Sequence, residues 1–181
     1  MSEAVNGHSN PTINFSYLSR GTLLKLAVLY SKLYIALDGF WYVAVMERMG
    51  NEKALECDLA AWQYRVADEV ERLTGLLNIT GNKVADVMKF FQVALWFQQM
   101  KYEIQLKDER DAILTITHCP TLEALESEGQ GRHIHICNVV DRQGFQKIAH
   151  FLNDTINVEC LTPLPRKQPG DIPCKWRFWL D

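Results

Sequence analysis

Hydrophobic spacing changes once along this chain, near residue 99, and that change limits what each part can become. From residue 20 to 98 apolar side chains recur every three or four positions, the period of a helix with a buried face. From Lys101 onward, Tyr102, Ile104 and Leu106 alternate with Lys101, Glu103, Gln105 and Lys107, the period of a strand. A chain of 181 residues is long enough for one well-buried core. The expected fold class is therefore α+β: an N-terminal helical half packed on a C-terminal antiparallel sheet of about four strands with two short helices. The expected boundaries are a flexible arm over 1–16, the helical half over 17–98 and the α+β half over 99–181, the two halves fused as one domain.

The helical half divides into three. Ser19 or Thr22 caps a first helix over 20–49, where Leu23, Leu26, Ala27, Tyr30, Leu33, Tyr34 and Leu37 follow the three-four spacing. Leu24, Val28, Leu29 and Ile35 make the other side apolar too, so this helix is expected to be buried on several sides or used for a homodimer through residues 20–49. Asp38-Gly39 marks a kink or restart, and Gly50 a stop. A second, amphipathic helix over 52–77 turns Ala54, Leu55, Leu59, Trp62, Val66, Val70 and Leu73 inward; a third spans 82–98.

In the second half, 101–107 and 112–117 form a hairpin about the polar turn Lys107–Asp111. A short helix follows Cys119-Pro120 and closes at Gly129. Residues 132–139 read as a small extended segment, 141–153 as a helix, and Ile156–Leu161 and Cys174–Leu180 as further strands joined by a Pro-rich loop.

Composition excludes some functions. Lysines and arginines are scattered and the net charge is −3, so no basic stripe marks a nucleic-acid footprint. The most apolar stretch, Leu23 to Met46, is interrupted by Lys25, Lys32, Asp38 and Gly39, unlike the ~20 predominantly apolar residues of a membrane span. Residues 1–16 lack the basic start and apolar run of a secretory signal. The expected location is cytoplasmic, where thiols stay reduced and cysteines serve as ligands, nucleophiles or core residues.

Chemistry concentrates in the last third. Cys119, Cys137, Cys160 and Cys174 fall there, with His118, His133 and His135 among them. Strand parity turns Cys160 to the side of Ile156 and Val158, and Cys174 to the side of Trp176, Phe178 and Leu180. Cys119, just before a proline at the first helical position, is the expected N-cap, where backbone N–H groups and the helix dipole favour a thiolate. One reading is a Zn²⁺ site built from Cys119, Cys137, Cys160 and Cys174, with His133 or His135 replacing a sulfur. Another makes Cys119 a nucleophile with a histidine base. The spacings of 18, 23 and 14 residues match no zinc finger or iron–sulfur run, and small buried thiols are the competing account. His133 and His135 would share a face of an extended segment.

Asp38 is the acid inside an apolar run. It either caps a helix restarting at Gly39 or lines a pocket near Trp41 as a catalytic candidate. Glu47 and Asp58 are weaker candidates for the same role, a surface position being the simpler account.

The strings LDGFWYVAVMERMGNEKALECDLAAW, HCPTLEALESEGQG, VECLTPLP and IPCKWRFWLD, with Cys137 between, carry a likeness over about residues 34–181. They resemble a group of small prokaryotic cytosolic proteins of unassigned activity. That group is similar to L-2-amino-thiazoline-4-carboxylate hydrolase-like proteins and, more distantly, to 4-vinyl-reductase-like domains. The resemblance implies that the four late cysteines occupy the group's recurring cysteine positions. Its hydrolase-like branch implies opening of a C–N bond in a small cyclic amidine. The more distant kinship implies a small-ligand pocket between helices and sheet and a dimer through the helical half. Three functions are thus expected to compete: a metal- or small-ligand-binding protein, a C–N hydrolase, and a dimeric ligand-binding regulatory module.

Overall fold

Ser19 starts the first helix by accepting the Thr22 N–H at 3.1 Å. Helix α1 (Arg20–Met49) then runs unbroken to Gly50, whose φ of 87° turns the chain directly into α2 (Asn51–Leu77). The computed structural model describes residues 13–181. The expected arm lies outside the described residues for positions 1–12, and Phe15–Tyr17 forms a single 3-10 turn.

α1 differs from expectation in two ways. It neither kinks nor restarts at Asp38-Gly39, so Asp38 caps nothing. Its inner face is Ser31, Tyr34, Ile35, Asp38 and Tyr42; of the string Leu23, Leu26, Ala27, Tyr30, Leu33, Tyr34 and Leu37, Tyr34 faces inward and most of the rest points to solvent. Polar anchoring decides which side packs. The Ser31 hydroxyl donates to the Leu95 carbonyl and accepts from Gln99 Nε2, and Tyr42 Oη donates to Asn51 Oδ1 at 2.9 Å.

α2 behaves as its amphipathic pattern predicts, with Ala54, Val66 and Val70 buried. Asn78 in the left-handed conformation (φ 53°) ends it. α3 (Val84–Val93) is shorter than the expected 82–98. Ala94 adopts an extended ψ of 129°, and a 3-10 turn (Leu95–Gln99) follows, carrying Trp96 and Phe97 into the core.

Strands β1 (Lys101–Asp108) and β2 (Asp111–His118) make the expected hairpin. β3 (Asn157–Cys160) and β4 (Cys174–Trp179) complete an antiparallel sheet in the order β1-β2-β4-β3. Ala112, Leu114 and Ile116 of β2 and Trp176 and Phe178 of β4 line its buried face. Phe91 sits at the centre of that core, its ring against those of Phe90, Trp96, Phe97, Phe145 and Phe178.

Between β2 and β3 the regular structure is all helical. α4 (Pro120–Glu128) ends at Gly129 and is followed by α5 (Arg132–His135), a π-helical segment Ile136–Asp141 and α6 (Arg142–Leu152). The expected extended segment at 132–139 is therefore corrected. The alternation His-Ile-His-Ile imitates a strand, but Cys137, Val140, Phe145 and Ile148 all face inward once the wider π-turn shifts the helical phase. α6 lies over the sheet with Phe145, Ile148 and Ala149 buried, α2 packs on α6, and α1 is the outermost layer.

Candidate functional site

Cys119 is the N-cap of α4, as its place before Pro120 predicts; its sulfur accepts the Leu122 N–H at 3.4 Å. Cys137 and Asp141 stand four residues apart in the π-helical segment, a spacing that keeps both side chains on one side of a helix. Cys174 opens β4 opposite Ile116, and Cys160 ends β3 opposite Trp176, which keeps the expected parity. These pieces converge. Cys119, Cys137, Cys174 and Asp141 lie close enough that the charge of each affects the ionisation of others in the group. Asp58 of α2 reaches the same place and acts on Asp141.

All five cysteines are free thiols. Burial is the leading cause of raised pKa throughout the cluster. It pushes Cys119 up to about 11, the cap N–H groups offsetting only part of the effect. Cys137 and Cys174 are raised further, by burial first and then by neighbouring anions. The expected thiolate at the helix start is therefore corrected: desolvation outweighs the dipole, and Cys119 is a thiol at neutral pH. His118 is engaged with Glu123, Nδ1 to Oε1 at 2.9 Å. Cys160 lies near enough to act on Cys174, and its sulfur donates to the Thr162 carbonyl at 3.1 Å.

Two carboxyls are the less expected members. Asp58 is 3% exposed, and its Oδ1 is buried with no hydrogen-bond partner. Burial and then the nearby Asp38 raise its pKa to about 7. Asp141 is half-buried as a residue, but protein surrounds its carboxyl; burial and then Asp58 raise it to about 7 as well, against the Cys137 thiol within hydrogen-bonding reach. It is the surroundings of the carboxyl, not of the whole residue, that set its charge. Arg132 is the nearby cation, but it is committed to Glu128 by two bonds of 2.6 and 2.9 Å and stacks over Tyr42 at 4.6 Å. Asp38 accepts from Trp62 Nε1 at 3.1 Å. It neighbours this group as a hydrogen-bonded inner-face residue, and not as an acid lining a pocket at Trp41, whose side chain is exposed.

The histidines do not join as expected. His133 and His135 sit in α5, where residues two apart point to different sides. His135 is exposed, and His133, its Nδ1 buried without a partner, acts on Glu126. Among the described residues no three His, Cys, Asp or Glu side chains stand in metal-ligand geometry. The Pro-rich loop is fastened beside the cluster by Arg166, which pairs with Glu126 at 2.6 and 2.9 Å, and by Asn138 Nδ2 donating to the Leu164 carbonyl at 2.8 Å. A cleft of about 550 Å³ lined by Lys83, Glu109, Arg110 and Asp181 contains none of the cysteines or histidines.

The sequence offers Asp58 only as a weaker candidate with a surface place as the simpler account, which its burial corrects, and it does not single out Asp141. The signal for Asp58 was present: Ala54, Asp58, Trp62, Val66 and Val70 recur at intervals of four, which places the acid on the inner stripe of α2. Asp141 lay in what reads as a helix start, because a π-turn leaves no mark in composition.

The chain belongs to a family of unknown function, DUF6125, whose model matches residues 16–180. No curated protein and no solved structure matches it. Among the described residues, no helix is long and apolar enough to cross a membrane.

Proposed function

We propose that this chain is a binding protein for a small cation, held by the thiol–carboxyl cluster of Cys119, Cys137, Cys174, Asp141 and Asp58. The observation that carries the reading is Asp58 Oδ1, buried without a donor beside a second enclosed carboxyl. A buried carboxylate without compensation costs several kcal/mol, and two facing each other cost more. A cation between them would remove that cost and give Oδ1 its partner. The rare π-helical segment supports the reading, since such distortions recur at functional sites and this one carries both Cys137 and Asp141.

Three thiols and a carboxyl are donor types that suit Zn²⁺. Binding the ion would require the side chains to close around it from their present separation. A protonated amine would instead bridge Asp58 and Asp141 without sulfur ligation. Nucleophilic hydrolysis has less support: Cys119 is held protonated, and His118 is paired with Glu123.

The test is calorimetric titration of tag-free, chelator-treated protein with Zn²⁺ and, separately, with methylammonium, repeated on Asp58→Asn and Cys137→Ser. Zn²⁺ binding weakened at least about tenfold by both substitutions identifies a metal site. Methylammonium binding lost in Asp58→Asn and kept in Cys137→Ser identifies an organic-cation site. Binding of neither probe to the unaltered protein overturns the proposal.

A further inference from the structure

The outer face of α1 has a spacing of its own. Leu23, Leu26, Tyr30, Leu33, Leu37, Phe40 and Ala44 are separated by three, four, three, four, three and four residues, and Glu47 continues the series. This is the a/d pattern of a coiled-coil seam, sustained over three heptads. The opposite stripe, with Ser31, Ile35, Asp38 and Tyr42, packs onto α2 and the 3-10 turn, so the seam has no partner among the described residues. Tyr30, Leu33, Leu37 and Phe40 are 47%, 56%, 67% and 73% exposed, and Leu29 and Trp41 widen the strip on either side.

The extent of the strip matches a second helix. From Leu23 to Glu47 the seam is about 36 Å long at 1.5 Å per residue. As half of a cylinder about 10–12 Å across, it presents roughly 600 Å². That is the upper end of what monomers expose and near the ~800 Å² per partner of a stable interface. Residues 1–12 offer only Met1 and Val5 as large apolar side chains, too few to cover it.

We infer that α1 is a homodimer seam, pairing antiparallel with α1 of a second copy about a two-fold axis near residue 35. Size and charge choose this occupant and this direction. Antiparallel pairing sets Leu33 against Leu37, Tyr30 against Phe40 and small Ala44 against large Leu26, so that every layer joins different partners. It also brings Glu47 to the N-terminal end of the partner helix, beside Arg20, where a carboxylate is favourable. Parallel pairing would stack Glu47 on Glu47 at two negative helix ends and Phe40 on Phe40. Arg48 does not oppose the arrangement, because it turns back to the Ala44 carbonyl of its own helix at 2.7 Å. An isologous contact of this kind closes on itself and leaves no open end. The inference is independent of the cation site, which adjoins the inner face of α1 and not the seam.

Sedimentation velocity on the full chain at tens of micromolar is the first test. The expected species has twice the 20.9 kDa chain mass, and Leu33→Glu/Leu37→Glu is expected to weaken dimerisation at least a hundredfold while leaving the far-ultraviolet circular dichroism unchanged. Direction is read by oxidative cross-linking, which remains informative if that double variant fails to fold. Leu23→Cys/Glu47→Cys is expected to give a covalent dimer, and Glu47→Cys alone none beyond the unaltered protein. A monomeric unaltered chain, a monomer that instead adsorbs to phosphatidylcholine vesicles, a dimer indifferent to the glutamates, or cross-linking by Glu47→Cys alone would each overturn the inference.

Discussion

Replacing Asp58 by asparagine tests the physics of the cluster without reference to any ligand. In the unfolded chain this carboxyl titrates near 3.8, and in the fold near 7. The folded state therefore holds a proton that the unfolded state has lost across that interval, so stability falls as pH rises. The contribution is fully present below about pH 4 and is gone above about pH 8. At 1.36 kcal/mol per pH unit, moving from 3.8 to about 7 corresponds to about 4 kcal/mol. Asp141 shifts in the same direction, with Asp58 as one cause, so the wild-type loss between pH 5 and 8 belongs to both carboxyls jointly. Asp58→Asn removes one member and relieves the other. Urea unfolding in the presence of a chelator, at pH 5, 6, 7 and 8, should show wild-type stability falling by several kcal/mol. The variant should exceed wild type by about 1.5 kcal/mol at pH 5, and the gap should widen to about 4 kcal/mol at pH 8. Wild-type stability that is flat or rises over this range, or a variant less stable at pH 8, would show that the carboxyls are not forced into contact with hydrocarbon and each other as described.

Three further outcomes follow from other parts of the fold. Cys119, Cys137 and Cys174, buried and held as thiols, should react with iodoacetamide at pH 7 at least about tenfold more slowly than in the denatured chain; mass-spectrometric mapping that finds Cys119 alkylated first would restore the activated-nucleophile reading. Phe91→Ala removes the ring that touches five other aromatic side chains and should cost about 3–5 kcal/mol by chemical denaturation; a loss under 1 kcal/mol would mean the core is not centred there. Arg177 and Lys107 hold the Asp111 carboxyl down to about 2, so its pairing contributes stability above about pH 4 that is lost as pH falls toward 2; Asp111→Asn should lower stability by about 1 kcal/mol at pH 7 and by nothing near pH 2, as followed by thermal unfolding.

The α+β architecture was legible because it depends on period, and period survives in sequence. The switch at Lys101 located the sheet, and parity placed Cys160 and Cys174 on its inner side. What failed was local. A helix apolar on all sides gives no vote on which face packs; on α1 the decision fell to Ser31 and Tyr42, whose hydrogen bonds reach Leu95 and Asn51. Arg132–Asp141 imitated a strand because a π-turn breaks the three-four phase that would have revealed a helix. The site was legible as a gathering of sulfur, since Cys119, Cys137 and Cys174 do converge. Its acidic half is the less legible part: Asp58 lies on a stripe spaced by four, yet a surface place is the simpler expectation for an acid, and nothing in the sequence marks the Asp141 carboxyl as enclosed. The electrostatic character of the site also depends on enclosure, which only the three-dimensional arrangement supplies, and enclosure reversed the thiolate expected at Cys119.

Proton release on binding examines the cation-site proposal most directly. If a cation takes the place of protons now held by thiols and carboxyls, each binding event must expel them. Zn²⁺ should be titrated at pH 6.5 into chelator-treated protein in two buffers of different ionisation enthalpy. The difference in apparent heat should correspond to more than one proton released per ion bound, and the number should fall in Cys137→Ser. Binding with no proton release, or no binding of Zn²⁺ or methylammonium at all, would contradict the proposal that this enclosed group of acids is built to receive positive charge.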